Sequence, residues 1–192
     1  MDGILGGGFI DEDTLVELIK RAQRDSDPDA FDGIYLLFAD RVYRYLLARL
    51  ADTELAEEIT AQVFVRMIEK IKLYRLSPKD NVPIFWAWLF RMAHNKMVDV
   101  LRAHKRSQQV ALEHAAHIPV NVSIYAVEER LDFEQVLQQL QNLPDPQREV
   151  IVLRFAEELS IGETAQVMQR TESAVKALQH RALESLRRYL RP

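Results

Sequence analysis

The chain has 192 residues and six glycines, and only two of those glycines, Gly33 and Gly162, come after residue 8. Hairpin-built sheets need frequent tight turns, and glycine fills their left-handed positions at least cost. A chain this poor in glycine, with seven prolines, is steered away from an all-β fold. The apolar spacing points to helix instead. Residues 13–24 put Leu15, Leu18, Ile19 and Ala22 on one face, and residues 29–50 carry Phe31, Ile34, Tyr35, Phe38, Val42, Tyr45, Leu46 and Arg49 in one register. Asp52 or Thr53 is placed to cap a third helix running to about residue 74, with Ala56, Ile59, Val63, Met67 and Ile71 in step. Residues 75–83, with two prolines, a serine and Asp80-Asn81, read as a loop. Residues 84–105 are helical again, with Leu89, Ala93, Met97, Val100 and Leu101 facing inward.

Periodicity fades between residues 107 and 125, where Pro119, Asn121 and two β-branched valines fall. It returns from Ala126 through Leu140 and breaks sharply at Leu143-Pro144-Asp145-Pro146. Asp145 as N-cap with Pro146 at the first helical position makes a helix start. Ser160-Ile161-Gly162-Glu163 fits a capping box, and Thr171 is placed to cap a last helix. The expectation is an all-α protein of two small helical domains joined by a flexible linker: a leader over 1–12, a first domain over 13–106, a linker over 107–126 and a second domain over 127–192.

No cysteine is present, which excludes disulfides, thiolate metal sites and a thiol nucleophile within the chain. No apolar run approaches the ~18 residues of a membrane span, and the first residues lack the basic start of a signal peptide. The five histidines form no H-E-x-x-H motif, and no phosphate-loop, dinucleotide or nucleophile-elbow pattern occurs. An enzyme is therefore not expected, nor a cofactor or metal.

Net charge is −4, but its distribution is uneven. Residues 91–106 hold five Lys/Arg against one acidic residue, residues 170–192 hold six against two, and residues 107–145 hold one against six. Local potential decides where a polyanion docks. The last helix buries Val175, Leu178, Ala182 and Leu186 and presents Ser173, Lys176, Ala177, His180, Arg181 and Glu184 on the opposite face, with Arg187 and Arg188 beyond. With the short helix before it, this is either a helix-turn-helix for duplex DNA or a plain helical hairpin with a solvated basic face. Asn95, Asp99, Arg102 and Arg106 share one face of the earlier basic helix, just after Phe85-Trp86-Ala87-Trp88. Rings beside cations suit unstacked single-stranded bases, although an aromatic pair at a helix start is more often core. Phe85 and Trp88 are expected in the core, and Trp86 is open to either role. The helix over 56–71 is amphipathic, suited to solvent or to a partner helix.

These segments together resemble the bacterial sigma-seventy family, in its extracytoplasmic-function group, from about Phe31 to Leu190. Ala56-Glu57-Glu58-Ile59-Thr60-Ala61-Gln62-Val63-Phe64 resembles the family's polymerase-binding helix. The run from Trp88 to Asn95, with Asp99, Arg102 and Arg106, resembles its promoter-melting helix. Leu143-Pro144 with Gln147-Arg148-Glu149-Val150, and the run from Val175 to Leu183, resemble its second DNA-binding domain. Glu58, Ala61, His94 and Thr164 depart from residues common in the family. The resemblance implies a factor that binds core RNA polymerase and directs promoter recognition, melting and initiation. Its polymerase contacts would be Glu57, Glu58, Thr60, Gln62, Phe64, Arg66 and Met67, on the clamp helices of the largest subunit, with a further contact to the flap of the second largest. The minus-ten strand would meet Lys79, Asp80, Asn81, Trp86, Trp88, Arg91, Asn95, Lys96, Arg102, Lys105 and Arg106. The minus-thirty-five duplex would meet Arg170, Thr171, Glu172, Ser173, Lys176, Ala177, His180 and Arg181. The resemblance also implies an anti-sigma partner, which could hold the chain near a membrane, and otherwise a cytoplasmic location with no membrane contact of its own. The alternative is a stand-alone helix-turn-helix regulator whose first domain dimerises or senses a ligand.

Overall fold

The computed structural model describes residues 11–76, 82–110 and 139–189. All regular elements among them are helical. The first domain contains α1 (Glu12–Asp25), α2 (Pro28–Leu50), α3 (Thr53–Lys70) with a 3₁₀ turn Ile71–Leu73, and α4 (Val82–Val110). The second contains α5 (Asp145–Ile151), continued by a wide turn Val152–Ala156, then α6 (Ile161–Met168) and α7 (Glu172–Tyr189).

Helix starts follow the side-chain chemistry. Asp11 accepts from the Thr14 N–H at 3.1 Å, Asp27 from Asp29 at 3.1 Å ahead of Pro28, and Asp52 from Leu55 at 2.9 Å. Each satisfies an N–H that has no partner within its own helix. Ser160 and Glu163 form the expected reciprocal box, at 3.2 and 2.7 Å, and the Thr171 hydroxyl accepts from Ala174 at 3.2 Å. Helix ends show the scarcity of glycine. Ser26, Ala51 and Gln169 close α1, α2 and α6 in the left-handed region, with φ of 51°, 53° and 52°, where glycine is favoured.

Three boundaries differ from the sequence expectation. Asp11 and Glu12 already cap and begin α1, so the leader ends before them. Helix α4 runs through Ser107–Val110 rather than yielding to a linker at 107; that stretch has two glutamines, which are good helix formers, and no Gly or Pro. The remaining linker residues, and most of the segment after Ala126, lie outside the described residues. Asp145 is the first residue of α5 rather than its N-cap, because its carboxylate is engaged elsewhere.

The first core gathers Leu15, Ile19, Ile34, Phe38, Tyr45, Ile59, Met67, Phe85, Phe90 and Met97, all buried. Helix α1 lies close on α2 at Gly33, where a Cβ would come within 2.9 Å of Leu18 Cδ2. The second core gathers Val150, Leu153, Leu159, Val167, Val175 and Ala182. Leu101, expected to face inward, is 42% exposed; it lies toward the end of α4, beyond the buried stretch that ends at Met97.

Candidate nucleic-acid and polymerase interfaces

Helix α7 enters from a tight turn. Gln169 takes its left-handed conformation, and the Arg170 N–H returns to the Ala165 carbonyl at 2.9 Å. Val175 and Ala182 are buried against the domain, so the geometry of the helix forces the opposite stripe outward. Ser173, Lys176, Ala177, His180 and Arg181 stand on that stripe and are exposed, as are Arg170, Thr171 and Glu172 at its start. His180 Nδ1 lies 3.5 Å from Glu184. All eight residues expected at the duplex are thus brought to one end and one face of a two-helix unit.

Helix α4 presents Arg91, Asn95 and Arg102 in the open and Lys96 partly so. Trp88 is half-buried against Phe85 and Tyr74, with ring centroids 5.5 and 4.9 Å away. Trp86 does not join this surface. It is 2% exposed, packed edge-on to Phe38 at 5.0 Å and beside Phe90 at 5.4 Å, with the Arg41 guanidinium over its ring. A strand base has no access to it here, and Trp86 is a core residue; of the two tryptophans, the one expected to be buried is the one left half-open. Lys79, Asp80 and Asn81 lie outside the described residues, as do the side chains of Lys105 and Arg106.

Helix α3 exposes Glu57, Glu58 and Arg66, with Gln62 partly open. Gln62 donates to Glu58 at 2.7 Å, and Arg66 lies 3.7 Å from Glu69. Thr60, Phe64 and Met67, expected on the polymerase face, point the other way. They are 6%, 5% and 1% exposed, and the Thr60 hydroxyl donates to the Ala56 carbonyl at 2.7 Å. Ala56, Ile59, Val63 and Met67 set the buried stripe, and Thr60 and Phe64 fall beside it. The outer face instead carries Val65 and Ile68, 58% and 47% exposed, neither of which was among the expected contacts. A groove of about 880 Å³ runs between α3 and α4, lined by residues including Val65, Arg66, Leu73, Trp88, Met92 and Lys96.

One further cluster was not expected. Tyr45 donates to Glu149 at 2.9 Å, Arg49 pairs with Glu149 at 2.7 Å and Asp145 at 2.9 Å, and His94 Nδ1 lies 2.5 Å from Glu149. Arg41 pairs with Glu157 at 3.0 Å. Gln169, in the turn before α7, donates to Asn95 of α4 at 2.6 Å. The signal available in the sequence was Arg49, a cation in register with an apolar stripe.

Among the described residues no group of three or more His, Asp or Glu side chains could hold a metal ion. Among the same residues no helix is long and apolar enough to cross a membrane.

Fold and surfaces define a two-domain all-helical protein with a helix-turn-helix in its second domain. The model for sigma-70 region 2 matches residues 34–107, and that for sigma-70 region 4 matches 139–188. The sequence is 34% identical over 190 residues to the ECF RNA polymerase sigma factor BldN of Streptomyces coelicolor, covering 94% of this chain and 67% of that protein. It is 29% identical to the ECF RNA polymerase sigma factor SigW of Bacillus subtilis, covering 90% and 95%. The solved structure of CnrH in complex with the cytosolic domain of CnrY superposes with a TM-score of 0.66 at 22% identity, covering 92% and 97%. RpoE of Bartonella quintana, in complex with the anti-sigma factor NepR, gives 0.70 at 21%, covering 83% and 96%. The chain belongs to the sigma-70 family, in its extracytoplasmic-function group. It is a sigma factor, which directs RNA polymerase to promoters, and the match across both domains displaces the stand-alone regulator.

Proposed function

We propose that the exposed faces divide the work of initiation. The outer face of α3, with Glu57, Glu58, Gln62 and Arg66, docks on the clamp helices of the polymerase largest subunit. The outer face of α4, with Arg91, Asn95, Lys96 and Arg102 beside half-open Trp88, captures the minus-ten strand, with Lys79, Asp80, Asn81, Lys105 and Arg106 as further contacts to it. The first half of α7 reads the minus-thirty-five element in the major groove, and the second domain meets the flap. Cations near phosphates supply affinity, and base edges supply specificity. The chain performs no catalysis and holds no cofactor; polymerase supplies the chemistry, in the cytoplasm. RpoE is solved in complex with the anti-sigma factor NepR and CnrH with the cytosolic domain of CnrY; an anti-sigma factor for this chain would cover the same faces.

The observation that carries this reading is the stripe Ser173, Lys176, Ala177, His180 and Arg181, exposed along one side of α7 and facing away from its buried Val175 and Ala182. The test is transcription in vitro with core polymerase on a genomic library, with start sites mapped. Lys176→Ala and Arg181→Ala should weaken duplex binding, each lowering the salt slope by about one if it meets a phosphate. Asn95→Ala with Arg102→Ala should impair strand opening while sparing polymerase binding. Unchanged start sites on adding the chain overturn the reading.

A further inference from the structure

Besides the polar seam between the domains, where Arg41 meets Glu157 and Arg49 meets Glu149, a polar side chain of α1 reaches out of its own helix from a buried face. Leu15 and Ile19 are buried, and Gln23 continues their step of four on the same face. Its amide nitrogen donates to the Ile71 carbonyl at 2.8 Å and to the Tyr74 carbonyl at 2.6 Å. Carbonyls at the end of a helix have no donor within it, and here α1 supplies one across 48 and 51 residues of chain. The Tyr74 N–H itself returns to Ile71 at 3.0 Å, so one amide spans the whole turn that closes α3. Beyond that turn the backbone is extended, with ψ of 122° at Tyr74. Helix α1 is a firm base for the bond, because Arg21 donates to Asp27, at the start of α2, at 2.7 Å.

The turn sets the place of the Tyr74 ring. That ring meets Phe85 edge-on, with centroids 5.4 Å apart, and lies 4.9 Å from Trp88. Phe85 is buried and stands 5.5 Å from Trp88. Trp88 is thus backed by two rings while it lines the groove between α3 and α4. A ring serves an unstacked base best when it is held in place beforehand, because ordering it on binding costs affinity. We propose that Gln23 is a positioning residue for minus-ten strand capture: it fixes the carbonyls of Ile71 and Tyr74, and through the Tyr74 ring it holds Trp88 in the orientation on which a base stacks. The inference rests on the reading of α4 as the minus-ten surface. Gln23 lies outside residues 34–107, the stretch matched to sigma-70 region 2, so α1 takes part in promoter opening from beyond that stretch. What the site requires is a donor. The end of α3 is the negative end of its helix dipole, so a cation at position 23 serves there and an apolar side chain does not.

The test uses holoenzyme assembled from the full-length chain and core polymerase, with a labelled single strand covering the minus-ten region of a mapped promoter as probe. Gln23→Leu keeps an apolar body and removes the donor. It should weaken capture of the strand about fivefold, the low end of what one base–aromatic stack contributes. Affinity for core polymerase and for the minus-thirty-five duplex should stay as in the wild type. Gln23→Lys should restore capture, and Tyr74→Leu, which breaks the relay one link further on, should repeat the loss. In the free chain carrying Trp86→Phe, Trp88 is the one tryptophan left. Its emission should move to the red in Gln23→Leu, as the ring loses its backing and meets water, and return in Gln23→Lys. Strand capture unchanged in Gln23→Leu overturns the proposal. An equal loss of strand capture, core binding and duplex binding also overturns it, as does a loss that Gln23→Lys leaves in place, since either would make Gln23 a support of the fold alone. Failure of the underlying reading shows separately: holoenzyme carrying Trp88→Leu would then capture the strand as well as the wild type does.

Discussion

Two glutamates of one seam are driven in opposite directions by their neighbours. Burial works to raise Glu149, but the bonds from His94 and the Arg49 charge together outweigh it and hold the carboxyl at about 2. Burial pushes Glu157 up to about 7, with Arg41 and Arg44 offsetting only part and Asp40 adding to the rise. The linkage follows with opposite signs. Glu149, depressed, contributes stability that is present above its ordinary value near 4.5 and lost as pH falls toward 2. Glu157, raised, contributes stability that is present below 4.5 and lost as pH rises through 7. Thermal unfolding of the wild-type chain should therefore weaken between pH 6 and 8 more than that of Glu157→Gln, whose amide keeps an acceptor for Arg41 without titrating. Comparing the two by calorimetry cancels the histidines; parallel curves would mean that Glu157 is ionised throughout. None of this was legible from spacing. Arg49 was read in the apolar register without a partner for its charge. Asp145 was read as an N-cap, the ordinary role of Asp before a helical Pro. A long-range partner outbid the local one, and local pattern has no access to a residue 96 positions away.

At the scale of elements, helix starts were the most legible feature, because capping is local chemistry. Asp52, Ser160, Glu163 and Thr171 cap as their positions suggest. The wide turn at Val152–Ala156 was not legible, since no Gly or Pro marks it. There the Glu157 N–H reaches back five residues to the Val152 carbonyl at 3.0 Å. The extra residue shifts the register, which leaves Phe155 53% exposed and Glu157 6% exposed toward α2. The end of α3 is also finished from outside. Gln23 of α1 donates its amide to the carbonyls of Ile71 and Tyr74, at 2.8 and 2.6 Å, tying down the root of the segment that leads to residues 77–81. Gln23→Leu removes both bonds and leaves two carbonyls partly desolvated, a loss of about 1–3 kcal/mol. Because the bonds lie at one end of an element, amide exchange should quicken at residues 71–76 while the core of α2 keeps its protection. Uniform loss across the first domain would show that Gln23 supports the whole bundle.

At the scale of the molecule, the division into two helical domains was legible from the break in periodicity, and their contact was not. An apolar interface announces itself as an unexplained hydrophobic face, whereas this seam is made of Arg, Tyr, His and Glu, residues usually assigned to solvent. Its burial has a consequence that separates it from the surfaces read as nucleic-acid contacts. Lys176 and Arg181 are exposed, as are Arg170, Arg187 and Arg188; if all five meet phosphates, the logarithm of duplex affinity should fall with that of salt at a slope of about −4.5. Raising salt fourfold then weakens duplex binding roughly 500-fold. Arg49 and Glu149, by contrast, have side chains 2% and 5% exposed, and pairs so enclosed are screened much less by mobile ions. Small-angle scattering of the free full-length chain should therefore report an unchanged radius of gyration between about 50 and 200 mM salt, an interval over which binding of duplex by the same chain is largely lost. A radius that grows in step with the loss of duplex affinity would mean that water and ions reach the seam, and that the Arg49–Glu149 contact is no stronger than the pairs on the outer faces.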